Sequence, residues 1–305
     1  MVDLLPQLIG FGGKVLSSMR TLKNGSRMDL RVPRETDPAS KNVIGGDPKT
    51  VFGISLVQKQ LKIDDQYHLL SPEDRSILLK LRGLEREHCT FKPPSELTRE
   101  KTLKILDQAN QLIQKADTEF ALLVINEKAF VAAYGEKYNF APHDSALIKL
   151  SFYPDIINDK NAFWGMTHNH PNGLCQDLGD YISFPPSFSD LQGFAQGKQS
   201  IYQVLDYSGT LYTLEASAKT NKSPFLDYVT GLSQGKEALL FNSQFEGIAK
   251  MMESPTGTES PDFLDLRNQI LEYAENAEAN LPEMAEKFAF AYTKTSLNRN
   301  EPLWF

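Results

Sequence analysis

Hydrophobic and polar positions in residues 95–217 switch repeatedly between the period of a helix and the period of a strand. Apolar residues recur at helical spacing from 100 to 116, which predicts a helix. The apolar run at 119–125 has the length of a strand, and the turn residues 126–128 predict a hairpin with a partner strand at 129–134. The same reasoning predicts a helix at 143–151, a strand at 161–167, a helix at 187–195 and a second hairpin at 201–215. This order of elements predicts a three-layer or half-open α/β domain.

The region before this domain carries irregular and helical patterns. Turn and breaker residues cluster at 23–50, which predicts a linker. Ser71 is followed by Pro72 and two acidic residues, a pattern typical of a helix N-terminus, and we expect a helix over 71–88. Residues 1–94 are therefore expected to form an N-terminal extension of the central domain.

The region after the domain, residues 218–305, changes character toward amphipathic helices. Ser260 is followed by a proline and an aspartate, which predicts a helix start, and apolar residues then recur on one face. Pro282 is expected to end that helix, and apolar spacing up to Tyr292 predicts another short helix after it. We therefore expect a mostly helical C-terminal region.

The most informative polar residues follow the strand predicted at 161–167. His168 and His170 stand two positions apart, so both imidazoles can turn toward one point at the end of that strand. Asp190 lies in the first turn of a predicted helix, and aspartate is the usual third partner when two histidines hold a zinc ion that keeps a position for water. Ser187 precedes Asp190 by one helical turn, so both can face the same side. This set of residues indicates a metal-assisted hydrolase.

The string His168-Asn169-His170-Pro171 and the spacing of Ser187 and Asp190 resemble the JAMM (JAB/MPN-type) metallopeptidase family, whose pattern is a glutamate, then His-x-His-Pro, then Ser-x-x-Asp. With Asn172-Gly173, the first string is most similar to the bacterial RadC-like branch of that family. The resemblance covers residues 97–217. It implies an α/β fold with a JAB/MPN (cytidine-deaminase-like) core, carrying helical N- and C-terminal extensions in this chain.

The resemblance also implies roles for the residues that match the family pattern. His168, His170 and Asp190 match the ligands of one catalytic Zn²⁺ ion, which is the implied cofactor. Ser187 matches the residue that hydrogen-bonds the tetrahedral intermediate, a kind of contact that is worth on the order of 3 kcal/mol in the transition state. Cys175 is an alternative nucleophile with His170 as its base, but a metal on His170 would prevent that arrangement.

A catalytic glutamate precedes the metal motif in the family, on an early strand. Glu119 opens the apolar run at 119–125 and is the best match, with Glu127 and Glu136 as alternatives. Such a carboxylate takes a proton from the attacking water and passes it to the leaving amine. The resemblance therefore implies a zinc metallopeptidase that acts on a protein or peptide substrate.

Alternatives for both the substrate and the activity stay open at this point. The resemblance favours isopeptide cleavage, as in the removal of ubiquitin or a ubiquitin-like modifier, although a bacterial member can instead cut an ordinary peptide bond. Two other classes stay open: a RadC-like protein associated with DNA, and a non-catalytic MPN-type scaffold. Metal content separates the scaffold from the enzyme, and retention on DNA at moderate salt tests the DNA-associated alternative.

The segment 172–186, between the two metal-site strings, is longer than the family pattern requires. It carries large apolar side chains among acidic ones, and we expect it to act as a lid over the metal or as a docking surface for the substrate. The alternative is a loop that folds onto its own domain. The substrate-contacting candidates are Leu174, Leu178, Tyr181, Ile182 and Phe184.

Composition and charge restrict the partners and the compartment. The chain has 305 residues, a net charge of −7 and no dense block of lysine and arginine, so nucleic acid is not the expected partner. Two cysteines, Cys89 and Cys175, provide no disulfide framework and fit a reducing compartment. The apolar stretch at 4–19 is interrupted by glycines and is too short to span a membrane, and it does not resemble a signal peptide. We expect a cytoplasmic protein; delivery into another cell by a dedicated secretion system, as an effector or toxin module, would leave no mark of this kind.

Overall fold

A six-stranded mixed sheet forms the centre of the described part of the chain. The computed structural model describes residue 67 and residues 70–88, 94–137, 159–171, 184–236 and 261–297, with 133–137 as backbone only. The strands are β1 (Thr118–Ile125), β2 (Lys128–Lys137), β3 (Trp164–Asn169), β4 (Ile201–Leu205), β5 (Thr210–Glu215) and β6 (Ala291–Ser296). Their order across the sheet is β2-β1-β3-β4-β5-β6. Only β3 and β4 pair in parallel within this sheet, and the other neighbours are antiparallel.

Helices cover both faces of the sheet. The described residues form α1 (Pro72–Glu87), α2 (Thr98–Ile113), α3 (Phe188–Gln196), α4 (Lys222–Ser233) and α5 (Pro261–Phe288). On one face α2 packs against β1 and β3, and α1 packs against β2. On the other face, alternate residues of the strands enter an apolar cluster with α3, α4 and α5. The chain therefore has an α/β fold with three layers, as the pattern of elements predicts.

The close packing of α2 on β3 depends on a glycine. A Cβ atom at Gly165 would lie 2.5 Å from the Thr102 side chain and 3.1 Å from that of Leu106. Beside it, Asn110 donates to Gln203 Oε1 at 2.9 Å and accepts from the Thr167 hydroxyl. These contacts fix the side of β3 that faces α2, and so they also fix which residues face the opposite layer.

Local sequence signals account for several elements. Ser71 caps α1 by accepting from the backbone N–H of Asp74 at 3.0 Å, which confirms the predicted helix start. The predicted hairpin between β1 and β2 is also confirmed. Its turn residues Asn126 and Glu127 have positive φ angles of 46° and 67°, the backbone that a two-residue hairpin turn requires. The predicted strand at 161–167 is displaced to Trp164–Asn169, where it pairs with both β1 and β4.

The C-terminal region departs from the prediction of two separate helices. α5 continues through Pro282 as a single helix of 28 residues. Buried residues lie on both sides of the proline, among them Ile270, Leu281 and Phe288, and their burial offsets the cost of about 3 kcal/mol for an internal proline. Tyr292 lies on β6, which pairs with β5, and not on a helix.

Elements from all three predicted segments meet in this structure. Apart from residue 67, the described residues belong to one compact unit. The predicted divisions near residues 94 and 217 stay predictions, and α1 and β6 show that both flanking segments contribute to the packing of the sheet. The predicted linker at 23–50 and the predicted helix at 143–151 lie outside the described residues. Within the described part of the chain, no helix combines the length and hydrophobicity that crossing a bilayer demands.

Candidate metal centre

The two histidines of the predicted site lie at the C-terminal end of β3, in the middle of the sheet. His168 is the fifth residue of β3 and is 2 % exposed, and His170 follows the strand directly. The backbone N–H of His170 donates to the Leu205 carbonyl at 2.8 Å, which keeps the chain extended along β4. Because alternate residues of an extended chain point the same way, both rings turn to one side, with centroids 5.3 Å apart.

The first turn of α3 brings the third residue. Ser187 is the N-cap of this helix, and its side chain accepts from the backbone N–H of Asp190 at 3.2 Å. In return the backbone N–H of Ser187 donates to Asp190 Oδ2 at 2.7 Å, which completes a capping box. The serine that the helix needs at its start therefore fixes the rotamer of the aspartate.

The ligand atoms converge to the spacing of a tetrahedral ion. Asp190 Oδ1 lies 3.1 Å from His168 Nε2, and Asp190 Oδ2 lies 3.2 Å from His170 Nε2. Donor atoms of all three residues lie within 4.8 Å of one another. A tetrahedral Zn²⁺ with bonds of about 2.0–2.1 Å places its ligand atoms about 3.3–3.4 Å apart. The two His–Asp pairs are already near this spacing, and the separation of up to 4.8 Å within the cluster would have to shrink for all three side chains to hold such an ion.

The ring nitrogens of His168 support this fit. Both are buried, and neither makes a hydrogen bond of acceptable geometry within the described residues, although Nε2 approaches Asp190 at ion-pair distance. A buried polar nitrogen without a hydrogen bond is costly. A metal ion at Nε2 would supply the missing interaction, so the donor set of two imidazoles and one carboxylate fits zinc.

The second nitrogen of His170 defines its tautomer. Nδ1 lies 3.1 Å from the backbone carbonyl oxygen of Phe184, which can only accept. Nδ1 therefore carries a proton, and the lone pair of the neutral ring is on Nε2, the nitrogen that faces Asp190. This is the usual second contact of a metal-binding histidine.

Glu119 lies beside the three candidate ligands and is not one of them. It is the second residue of β1, and its Oε1 is 3.9 Å from His168 Nε2. Its side chain is only 17 % exposed. Burial raises the pKa of Glu119 to about 7, even though His168 and His170 oppose the shift. A carboxylate with that pKa can both accept and release a proton near neutral pH.

The charges of the ligands depend on one another. Burial alone would lower the pKa of His170, but the hydrogen bond and the charge of Asp190 raise it to about 9. Burial alone would raise the pKa of Asp190, but the two imidazoles hold it well below its ordinary value. The metal-free cluster is therefore an ionised carboxylate beside a protonated His170, and a metal ion would replace that proton.

Glu127, the alternative glutamate whose side chain the structure describes, does not join this group. Glu127 lies in the turn after β1, about 25 Å along the strand from Glu119 at its other end. Its carboxylate accepts from the Ser95 backbone at 3.0 Å and from the Lys101 ammonium at 3.1 Å. Burial would raise the pKa of Glu127, but hydrogen bonds from Ser95 and Lys101 lower it to about 2. Glu127 therefore anchors the start of α2, and the side chain of Glu136 lies outside the described residues.

Ser187 reaches the site, but its hydroxyl already has a partner. The Oγ–H donates to Asp190 Oδ2 at 2.6 Å, and the residue is exposed. A hydroxyl has one hydrogen to donate, so contact with a substrate oxygen would require it to rotate away from Asp190. The geometry therefore shows a helix cap and a partner of Asp190, and it leaves the expected contact with an intermediate untested.

Tyr202 is a site residue that the sequence did not indicate. It lies on β4, its ring packs edge-on against His168 with centroids 5.6 Å apart, and its hydroxyl donates to Asp190 Oδ1 at 3.4 Å. Burial and the neighbouring charges of Asp190 and Glu119 raise its pKa well above the ordinary value, so it stays protonated. This contact exists because β4 lies beside β3 in the sheet. The spacing of residues along the sequence does not reveal which strands are neighbours, so it contains no signal for this contact.

The loop candidates fall mostly outside what can be described. Leu174, Leu178, Tyr181 and Ile182 lie outside the described residues. Phe184 is half-buried, and the atom that contacts the site is its backbone carbonyl rather than its ring. The proposed use of this loop in substrate recognition therefore stays a prediction.

Comparisons with protein-family models, with curated proteins and with solved structures found no match to this chain. The similarity to the JAMM pattern is consequently limited to the site residues and their spacing. Since one fold supports many activities, function has to be inferred from the chemistry of this site.

Proposed function

We propose that this protein is a zinc-dependent peptidase or isopeptidase of the JAMM type, with a JAB/MPN-like core. The observation that carries the proposal is the convergence of His168, His170 and Asp190, with the carboxylate of Glu119 3.9 Å beyond His168. Three ligands leave one position of a tetrahedral ion for water, and the glutamate lies where it can reach that water. This arrangement of three ligands and one base is the usual one in catalytic zinc sites.

Bound zinc would supply a water of lowered pKa and would polarise the scissile carbonyl. The residues of the chain do the rest. Glu119 would accept a proton from the attacking water and donate it to the leaving nitrogen. Tyr202 and Ser187 hold the two oxygens of Asp190, and the Phe184 carbonyl fixes His170, so the ligands are oriented before substrate arrives.

The bond attacked is an amide, and the chemistry is the same for a backbone nitrogen and a lysine side-chain nitrogen. The similarity to the JAMM pattern favours an isopeptide, as in the removal of ubiquitin or a ubiquitin-like modifier. A role as a bacterial effector or toxin module is compatible with this activity. The substrate would reach the metal past the exposed N-terminus of α3, where Ser187 lies.

The test is cleavage of a panel of amide substrates by the purified chain. The panel contains ubiquitin chains, ubiquitin-like conjugates and a generic peptide library, each with and without a chelator and after return of zinc. We expect chelator-sensitive cleavage that zinc restores. Glu119→Gln should be inactive, while the matched change Glu127→Gln, at the other end of the same strand, should be active.

Three outcomes would contradict the proposal. If the chain binds no zinc and cleaves nothing in the panel, the non-catalytic scaffold becomes the better interpretation. If the chain binds no zinc and is retained on DNA at moderate salt, the DNA-associated alternative is favoured. Cleavage that survives complete removal of metal would exclude the zinc mechanism directly.

A further inference from the structure

The pairing of β1 with its neighbouring strands is irregular around Glu119. Its pairing with β3 ends at Ala121, which lies opposite His168. On its other side, the register with β2 shifts between Thr118 and Phe120 and again after Ala121. Glu119 therefore lies where neither neighbouring strand provides a regular ladder of hydrogen bonds.

One side chain of the β3 segment continues the hydrogen bonding where the pairing of β1 with β3 ends. The amide of Asn169 accepts from the backbone N–H of Phe120 at 2.8 Å and donates to the Thr118 carbonyl at 3.1 Å. These two groups belong to the peptide bonds on either side of Glu119. A primary amide carries a donor and an acceptor, as a backbone peptide does, so it can take the place of the next residue pair in an antiparallel ladder. Asn169 is 2 % exposed, so water does not compete for these bonds.

We propose that Asn169 is a positioning residue that holds Glu119 at its distance from the metal ligands. His168 and His170 then turn toward the metal. Asn169, between them, turns to the opposite face of the sheet and fixes the position of Glu119. A further contact supports the same end of β1, because the backbone N–H of Asp117 donates to Asp74 on α1 at 3.1 Å. The inference rests on the proposed function, since it gives Glu119 the role of base.

The consequence is a split between binding and turnover. Asn169 touches neither the ligands' donor atoms nor the carboxylate of Glu119, so its loss should leave zinc binding and KM unchanged. A displacement of the base by about 1 Å can cost about 100-fold in rate. We therefore expect Asn169→Ala to lower kcat about 10- to 100-fold, and Asn169→Asp, which keeps the acceptor for the Phe120 N–H, to retain part of the rate.

The test combines amide hydrogen exchange, zinc content and kinetics in the full chain. Asn169→Ala should speed exchange of the Phe120 amide at least about tenfold, because that N–H loses its buried acceptor. Asn169→Asp should keep most of the protection. The control is Asn110→Leu, which removes buried hydrogen bonds to β3 and β4 on the same face of the sheet. It should leave Phe120 exchange and kcat at the wild-type values.

The outcomes separate this inference from the proposed function. Unchanged Phe120 exchange in Asn169→Ala would overturn it, and so would lost protection with an unchanged kcat. If the wild type itself cleaves no substrate, the proposed function fails, and crystal structures of wild type and Asn169→Ala decide the positioning role. Displacement of the Glu119 carboxylate from its 3.9 Å distance to His168 Nε2 in the variant would support that role, and an identical position would overturn it.

Discussion

Zinc must compete with a proton at His170, and the cost of that competition can be worked out from the structure. Asp190 raises the pKa of His170 to about 9 in the metal-free cluster, so the ring is almost fully protonated at pH 7. Each pKa unit corresponds to a tenfold change in an equilibrium constant, so the proton costs about 3 kcal/mol of zinc-binding free energy at pH 7. The apparent affinity for zinc should rise about tenfold per pH unit from pH 7 to pH 9 and then level off.

The assay is competition for zinc against chelators of known affinity, repeated between pH 6 and pH 9. Calorimetry at pH 7 in two buffers of different ionisation enthalpy should in addition show net proton release on zinc binding, to which His170 contributes about one proton. Glu127→Gln serves as the control, because its carboxylate lies at the other end of β1. An affinity that does not change between pH 7 and pH 9 would refute the reasoning, since His170 would then either carry no proton or not bind the metal.

Three further changes test the roles of single parts of the site. Glu119→Gln should keep the full zinc content while turnover falls by about 100-fold or more, and an active variant would show by kinetics that Glu119 is not the base. Ser187→Ala should lower the free energy of unfolding, measured by urea denaturation, by about 1 kcal/mol through loss of the α3 cap. It should also weaken zinc binding about 10- to 100-fold. If both values are unchanged, Ser187 neither caps α3 nor positions Asp190. Replacing residues 174–184 by a glycine–serine linker should leave zinc binding intact and reduce cleavage of a folded conjugate far more than that of a short peptide, whereas equal loss would remove the loop from substrate recognition.

The parts of the site that sequence could predict are those set by local spacing. His168 and His170 are two residues apart on an extended chain, and Ser187 and Asp190 are one helical turn apart, so secondary structure alone fixes their directions. For these four residues a short stretch of chain contains the whole signal. The role of Glu119 was instead implied by the resemblance to the JAMM pattern, as the best match among three glutamates for a residue on an early strand before the metal motif.

The contacts that sequence could not predict depend on which strands are neighbours. Tyr202 reaches Asp190 and His168 only because β4 lies beside β3. Asn169 reaches β1 only because the pairing of β3 with β1 ends one residue earlier, at His168. β6 was missed for another reason: it is an edge strand, its residues are mostly exposed, and it therefore lacks the alternation that marks a half-buried strand. Pairing and edge position are properties of the folded sheet rather than of any local segment.

The measurement that tests the central claim most directly is anomalous diffraction at the zinc edge from crystals of the zinc-reconstituted chain. The account predicts one strong peak about 2.0–2.1 Å from the Nε2 atoms of His168 and His170 and from the Asp190 carboxylate, with Glu119 outside bonding distance. The absence of a peak among these three residues, or a peak bound elsewhere with this cluster unchanged, would contradict it.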